Sequence, residues 1–181
     1  MVMFHNSFVK PSFIVLALFL CLVPSFCSDR IVPVKDICSK HYKNPRNCAN
    51  ILNSIPGVAK SGADLGKASL HLIDMAHANA IKTITLIHDL ITNAGNPNLK
   101  KQYSSCSQDF DDVLYFLTQA KNSFTSGNFK EMNVNGAFVV KDVDHCSSKA
   151  PASSPVLKSN DDLEDVSIII MILADYLAGK Y

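Results

Sequence analysis

From Leu65 to Leu177 the apolar residues of this chain recur every three or four positions, a period that suits helices and leaves no alternating pattern for a sheet. Leu65, Ala68, Leu72, Met75, Ala76, Ala80, Ile84, Ile87 and Ile91 form one stripe, with Asp64, Lys67, His71, Asp74, Lys82 and Asp89 mainly on the other side. This spacing predicts a long helix over 60–93. Asn93, Gly95, Asn96 and Pro97 then punctuate the chain, since Gly suits a helix end and Pro a first turn. Leu99, Tyr103, Cys106, Phe110, Val113, Leu114, Leu117, Ala120 and Phe124 predict a second helix running to about Ser126. A third segment, Phe129 to His145, carries Met132, Val134, Ala137 and Phe138, but its β-branched pair Val139 and Val140 weakens the helical preference.

Residues 147–158, with Pro151 and Pro155, read as a loop. The last helix is expected to open at Ser159, Asn160, Asp161 and Asp162, whose side-chain oxygens suit a helix N-terminus. Leu163, Val166, Ile169, Ile170, Leu173 and Leu177 line one face as far as Gly179. The fold class that follows is all-α, an up-down-up-down four-helix bundle. Ahead of it, 33–56 holds Cys38, Pro45, Cys48 and Pro56 around two apolar clusters and reads as a small helical hairpin.

The first residues stand apart. Ser12 to Phe26 reads SFIVLALFLCLVPSF, preceded by His5 and Lys10 and followed by Ser28, Asp29 and Arg30. That is the layout of a secretory signal peptide, and the run is too short and too broken by Pro24 to span a bilayer. The expected organisation is a leader over 1–27, the hairpin extension over 28–58 and the bundle over 59–181. Removing the leader takes away Lys10 from 17 basic groups and leaves the chain balanced against 16 acidic ones, so nothing attracts a polyanion and nucleic acid is not an expected partner. It also removes Cys21 and Cys27 of the six cysteines. Cys38, Cys48, Cys106 and Cys146 remain, an even set bound for an oxidising compartment, so two disulfides are expected. Three pairings are open, and proximity favours Cys38 with Cys48 and Cys106 with Cys146. Loops of this size contribute about 3 and about 4 kcal/mol on the chain-entropy argument.

Chemistry is sparse. GADLGKAS, with Gly62, Gly66 and Lys67, lacks the spacing, the hydroxyl residue and the preceding strand of a phosphate loop. His71, Asp74 and His77 recur every third residue, and the outer two point about 240° apart on a helix, so they do not converge on a metal ion. Asp109, Asp111 and Asp112 crowd one turn and diverge, which reads as a hydrated or partner-facing acidic surface. No G-x-S-x-G elbow occurs, and cysteines paired in disulfides are not nucleophiles. No cofactor, no metal and no enzymatic activity are expected. There is also no N-x-S/T sequon.

Several short strings carry a family resemblance: Asp36-Ile37-Cys38-Ser39-Lys40, Asn44-Pro45-Arg46-Asn47-Cys48, and Asn96-Pro97-Asn98-Leu99-Lys100 leading through Tyr103 to Cys106. Gln119-Ala120-Lys121, Ser126-Gly127-Asn128-Phe129, Cys146, Ser154-Pro155 and Leu163-Glu164-Asp165 follow in order. Together they resemble the plant invertase and pectin methylesterase inhibitors over roughly 35–179, or a domain of about 33–179. The resemblance implies a secreted apoplastic protein, a four-helix bundle with an N-terminal hairpin, and disulfides paired sequentially, Cys38–Cys48 and Cys106–Cys146. It further implies a monomer that binds a cell-wall enzyme one to one and blocks its cleft, with no membrane contact once the leader is gone.

Two targets are implied, pectin methylesterase and acid invertase. The invertase branch resembles sequences with a Pro-Lys-Phe tripeptide between the second and third bundle helices, where this chain has Ser126-Gly127-Asn128-Phe129-Lys130. The wording of Leu99 to Gly127 and of Leu163-Glu164-Asp165 is more similar to the pectin methylesterase inhibitors. In those the second and third bundle helices lie across the pectin groove, so the resemblance implies partner contacts from Gln108, Asp109, Asp112 and Tyr115 on one helix and Asn133 and Ala137 on the next. The chain departs from the pattern at Phe110 and Val113, at Phe138 and Val139, at Ser147 and Ser148, and in a first cysteine pair spaced one residue wider. The alternative is therefore a divergent, non-inhibitory secreted bundle, structural or binding a small apolar ligand in a cavity left by Ala68, Ala76 and Ala80. His145 beside Cys146 offers either a pH-dependent contact with the partner or an exposed histidine at a helix end, favoured by the dipole.

Overall fold

The computed structural model describes residues 30–58 and 62–181, so the leader and the first residues of the expected 60–93 helix lie outside the described residues. Six helices and one two-residue strand pair follow in the order β1 (Ile31–Val32), α1 (Val34–Cys38), α2 (Pro45–Ser54), β2 (Ala63–Asp64), α3 (Leu65–Thr92), α4 (Pro97–Thr125), α5 (Phe129–Lys149) and α6 (Val156–Leu177). Helices α3 to α6 form the bundle: each packs on the next, and α6 returns to α3. Helices α1 and α2 make the N-terminal hairpin, which lies against α6.

An Asn or Asp starts four of the helices. The side chains of Asn44, Asp64, Asn96 and Asn128 accept from the amides of Asn47, Lys67, Leu99 and Glu131, satisfying a donor that the helix itself leaves open. Pro45 and Pro97 follow directly in the first turn, where a missing N–H costs nothing.

The third bundle helix forms in full despite Val139 and Val140. Met132, Val139, Val143 and Cys146 are all buried, so tertiary packing outweighs a modest intrinsic preference. It also runs beyond His145 to Lys149, and it stops before Pro151. The last helix opens at Val156, ahead of the Ser159–Asp162 cluster that was expected to cap it. Pro155 supplies a preset φ, and the Val156 amide donates to the hydroxyl of buried Ser154 at 3.3 Å, which also accepts from the Tyr103 hydroxyl at 3.3 Å. Asn160 is consequently inside the helix and fully buried, donating to Ser147 Oγ at 2.8 Å.

Residues 62–64, expected to be helical, instead pair with the segment before α1. Ile31 faces Asp64 and Val32 faces Ala63 in an antiparallel register. Gly62, at φ +129°, lets the two backbones close, because a Cβ there would lie 2.6 Å from the Val32 carbonyl oxygen. Arg30 extends the same seam: its guanidinium donates to the Tyr176 and Tyr181 carbonyls at 2.7 and 2.6 Å and lies over the Tyr176 ring.

The core runs along the bundle axis. It joins Leu72, Ala76, Ala80 and Ile87 of α3, Phe110, Val113 and Leu117 of α4, Met132, Val139 and Val143 of α5, and Leu163, Ile169 and Leu173 of α6. Ala68, Ala76 and Ala80 are packed into this core, where small side chains bring helices close. Helix α6 is buried at every position from Leu163 to Ile170, because the bundle covers one side of it and the hairpin the other.

Candidate functional site

Helices α4 and α5 are antiparallel neighbours fastened at both ends. The turn Ser126–Asn128 joins them at one end, with Phe124 and Phe129 6.3 Å apart across it. The Cys106–Cys146 disulfide joins them at the other, while Cys38–Cys48 closes the hairpin. Between those fastenings the outward face is a stiff surface, since neither helix can slide or roll without breaking a covalent or buried contact.

On α4, Gln108, Asp112 and Tyr115 stand four and three residues apart and are all exposed, as the helical period requires. On α5, Ala137 is exposed as well. Asp109 is drawn in between the helices: its side chain is only 13% exposed, one oxygen meets His145 Nδ1 at 2.8 Å, and the other is buried with no partner among the described residues. Of the three clustered carboxylates, then, Asp111 and Asp112 form the hydrated face and Asp109 a strut. Asn133 is turned away from this face. Its amide donates to the Met171 carbonyl at 3.0 Å and to Asp175 Oδ1 at 3.2 Å, tying α5 to α6.

Several members of the face were not singled out as contacts from sequence. Phe116 and Phe138 stack at 4.7 Å with an interplanar angle of 19°, and Tyr115 meets Phe116 edge-on at 5.2 Å. The Lys141 ammonium lies 5.9 Å from the Phe138 ring centroid. Asp142, just inside, is 8% exposed and has one oxygen without a partner among the described residues. Burial pushes its pKa above the usual carboxylate value; Asp112 and Asp109 push the same way, and Lys141 and His145 oppose them. A usable signal existed in the sequence, since Phe138, Lys141 and His145 fall three and four apart, the period of one helix face.

A second polar cluster seats the hairpin. Lys43 bonds Glu164, which raises the lysine pKa, and lies 3.9 Å from Asp144. Asn47 donates to Asp165 Oδ2 at 2.6 Å, and buried His41 accepts from the Asn44 amide through Nδ1 and approaches Asp165 through Nε2. The Leu163-Glu164-Asp165 string is thus the docking point of α1 and α2 on α6.

Several polar groups elsewhere have structural partners. Lys67 binds the Asp64 carboxylate through both its amide and its ammonium, so the start of α3 is already capped. His71 is exposed, and Asp74 pairs with Lys121 at 2.7 Å. Among the described residues no group of three or more His, Cys, Asp or Glu is placed to hold a metal ion. His88 Nε2 lies 3.0 Å from Ser107 Oγ on the outside of α3 and α4, and among the described residues no carboxylate orients the ring as a hydrolytic pair would need. Among the described residues, no helix is long and apolar enough to cross a membrane.

Comparison with known proteins gives a consistent result. The chain is 32% identical over 152 residues to a pectinesterase inhibitor of Actinidia deliciosa, covering 81% of this chain and 80% of that one. It is 26% identical over 151 residues to pectinesterase inhibitor 2 of Arabidopsis thaliana, covering 82% and 86%. Among solved structures it resembles a mutant form of a pectin methylesterase inhibitor from Arabidopsis with a TM-score of 0.71 at 20% identity, over 80% of this chain and 97% of that one, a likeness of fold. Residues 33–171 match the family described as plant invertase/pectin methylesterase inhibitor, and the chain belongs to that family of inhibitors, on the side of the pectin methylesterase inhibitors.

Proposed function

We propose that this protein is exported by its apolar leader to the cell wall and there inhibits a pectin methylesterase, docking one to one as a monomer and filling the enzyme's pectin cleft with the α4–α5 face. It needs no cofactor and carries out no reaction of its own. The observation that carries the reading is the match to relatives named pectinesterase inhibitors, which extends over four-fifths of both chains. The face supports it physically. Gln108, Asp112, Tyr115 and Ala137 project from two helices fixed at both ends, so docking immobilises little that is not already ordered. Exposed carboxylates also suit a cleft built for an acidic polymer, because they meet the cations that such a polymer would meet.

The turn between α4 and α5 favours an esterase over an invertase as target. Asn128 is spent capping α5, and Phe124 and Phe129 approach one another beneath the turn, so it is short and tied down. It lacks the Pro-Lys-Phe sequence that marks the invertase branch at this place.

The test is to incubate the purified, oxidised chain lacking its leader with a plant pectin methylesterase and, separately, with an acid invertase. Methyl-ester hydrolysis is expected to fall to near background at micromolar inhibitor, with an equimolar complex on size-exclusion chromatography, and sucrose hydrolysis to be unchanged. Full esterase activity under those conditions overturns the reading.

A further inference from the structure

The most exposed apolar feature of the α4–α5 face is aromatic. Tyr115 is 57% and Phe138 39% exposed, and they flank the half-buried Phe116. Phe138 is held in place, and Tyr115 rests edge-on against Phe116. Val139, next in sequence to Phe138, is fully buried, so α5 cannot rotate to take Phe138 inward. Phe138 is also stacked on Phe116, which fixes its ring plane before any partner arrives. A fixed, solvent-facing aromatic pair costs little further entropy on binding and buries a large apolar area, the two properties that concentrate binding energy in a few residues.

The surroundings indicate what such a pair fits. Asp112 lies one turn from Tyr115 on α4 and is exposed, so a carboxylate stands next to flat apolar rings. A partly methyl-esterified polyuronate displays the same pairing: carboxylates beside the apolar C–H faces and methyl esters of its sugar rings. A cleft made for that polymer carries cations for the first and apolar walls for the second.

Building on the function proposed above, we infer that Tyr115 and Phe138 are the anchor of the inhibitory interface, occupying the apolar sugar-ring subsite of a pectin methylesterase while Asp112 meets the neighbouring cation. The rings exclude water around that charge pair and set how deep the bundle sits. A cleft without a matching recess is rejected by the bulk of Phe138.

The experiment uses the esterase inhibited by the unmodified chain in the assay above. Phe138→Ala and, separately, Tyr115→Ala are each expected to weaken inhibition about tenfold or more. Their circular-dichroism melting curves should stay close to the parent's. Tyr115→Ala guards against a folding defect, because that ring makes only an edge contact. Ile81→Ala removes a comparably exposed side chain from α3 and is expected to leave inhibition unchanged. Asp112→Asn is expected to weaken binding most at low salt, and the aromatic variants equally at all salt concentrations. If both aromatic variants inhibit within threefold of the parent, or if Ile81→Ala weakens inhibition as much as they do, the anchor is wrong while the inhibitor function stands. If the unmodified chain inhibits no pectin methylesterase, the function itself fails and the anchor falls with it.

Discussion

Asp142 shows how much of the α4–α5 face is hidden from one-dimensional reading. It follows the exposed Lys141, yet it is buried, with one oxygen that has no partner among the described residues and a raised pKa caused chiefly by desolvation. Because the folded pKa lies above the unfolded one, the ionised carboxylate opposes folding. That penalty is present above the folded pKa and disappears as the pH falls through it toward the unfolded carboxylate value. Asp142→Asn is therefore expected to melt above the parent at pH 7, with the gap shrinking toward about pH 4. Thermal unfolding across that range checks it, and a gap that is absent at pH 7, or that widens on acidification, contradicts it. Single-residue roles such as this are where the sequence was least legible. Asp109, Asp111 and Asp112 look alike in a string of letters, and only the packing angle of α5 turns the first toward His145. Asn133 was assigned to the partner face by resemblance, whereas its amide is engaged with α6.

Elements were far more legible. A stripe of the length of Leu65 to Ile91 has few foldable alternatives, and Asn96 ahead of Pro97 marks a helix start that the structure uses as a cap, whereas Asp64, read as part of the helix's polar side, is itself the cap of α3. Errors fell at boundaries. A two-residue strand has no period to read, and Asn160 resembles a cap until Ser154 and Pro155 are seen to begin α6 earlier. The pairing of α5 with α6 also depends on one residue that periodicity ignores. A Cβ on Gly136 would lie 2.8 Å from Met171 Cγ and 3.5 Å from the Ser167 carbonyl oxygen, so the helices pack closely there. Gly136→Val should lose about 1–3 kcal/mol by forcing the helices apart. Gly95→Ala, with nothing within 4 Å of the added carbon, should be neutral or slightly stabilising. Urea unfolding of the two variants compares them directly, and equal stabilities would show that the interhelical contact is not tight.

For the molecule as a whole, the two disulfides divide the work. Cys106–Cys146 closes a loop with a separation of 40 residues across the bundle, while Cys38–Cys48 closes one of 10 within the hairpin. Replacing the first pair by alanines is expected to cost about 4 kcal/mol of global stability, and replacing the second about 3 kcal/mol at most. In hydrogen exchange, loss of the second should speed the amides of α1 and α2 first, since the polar contacts of Lys43, Asn47 and His41 and the buried side chains of Ile37 and Leu52 then hold the hairpin with no covalent clip inside it. Uniform acceleration across the bundle would mean that the hairpin is not a separable layer. The grip of Arg30 on the carbonyls of Tyr176 and Tyr181 has a different kind of consequence. It brings the two extremities of the described polypeptide to a common pole, so a short linker can splice them and a circular permutant can be opened between Ala150 and Pro155 without severing a helix or a cystine ring. The spatial arrangement of this inhibitor is in that sense independent of the point at which its synthesis starts.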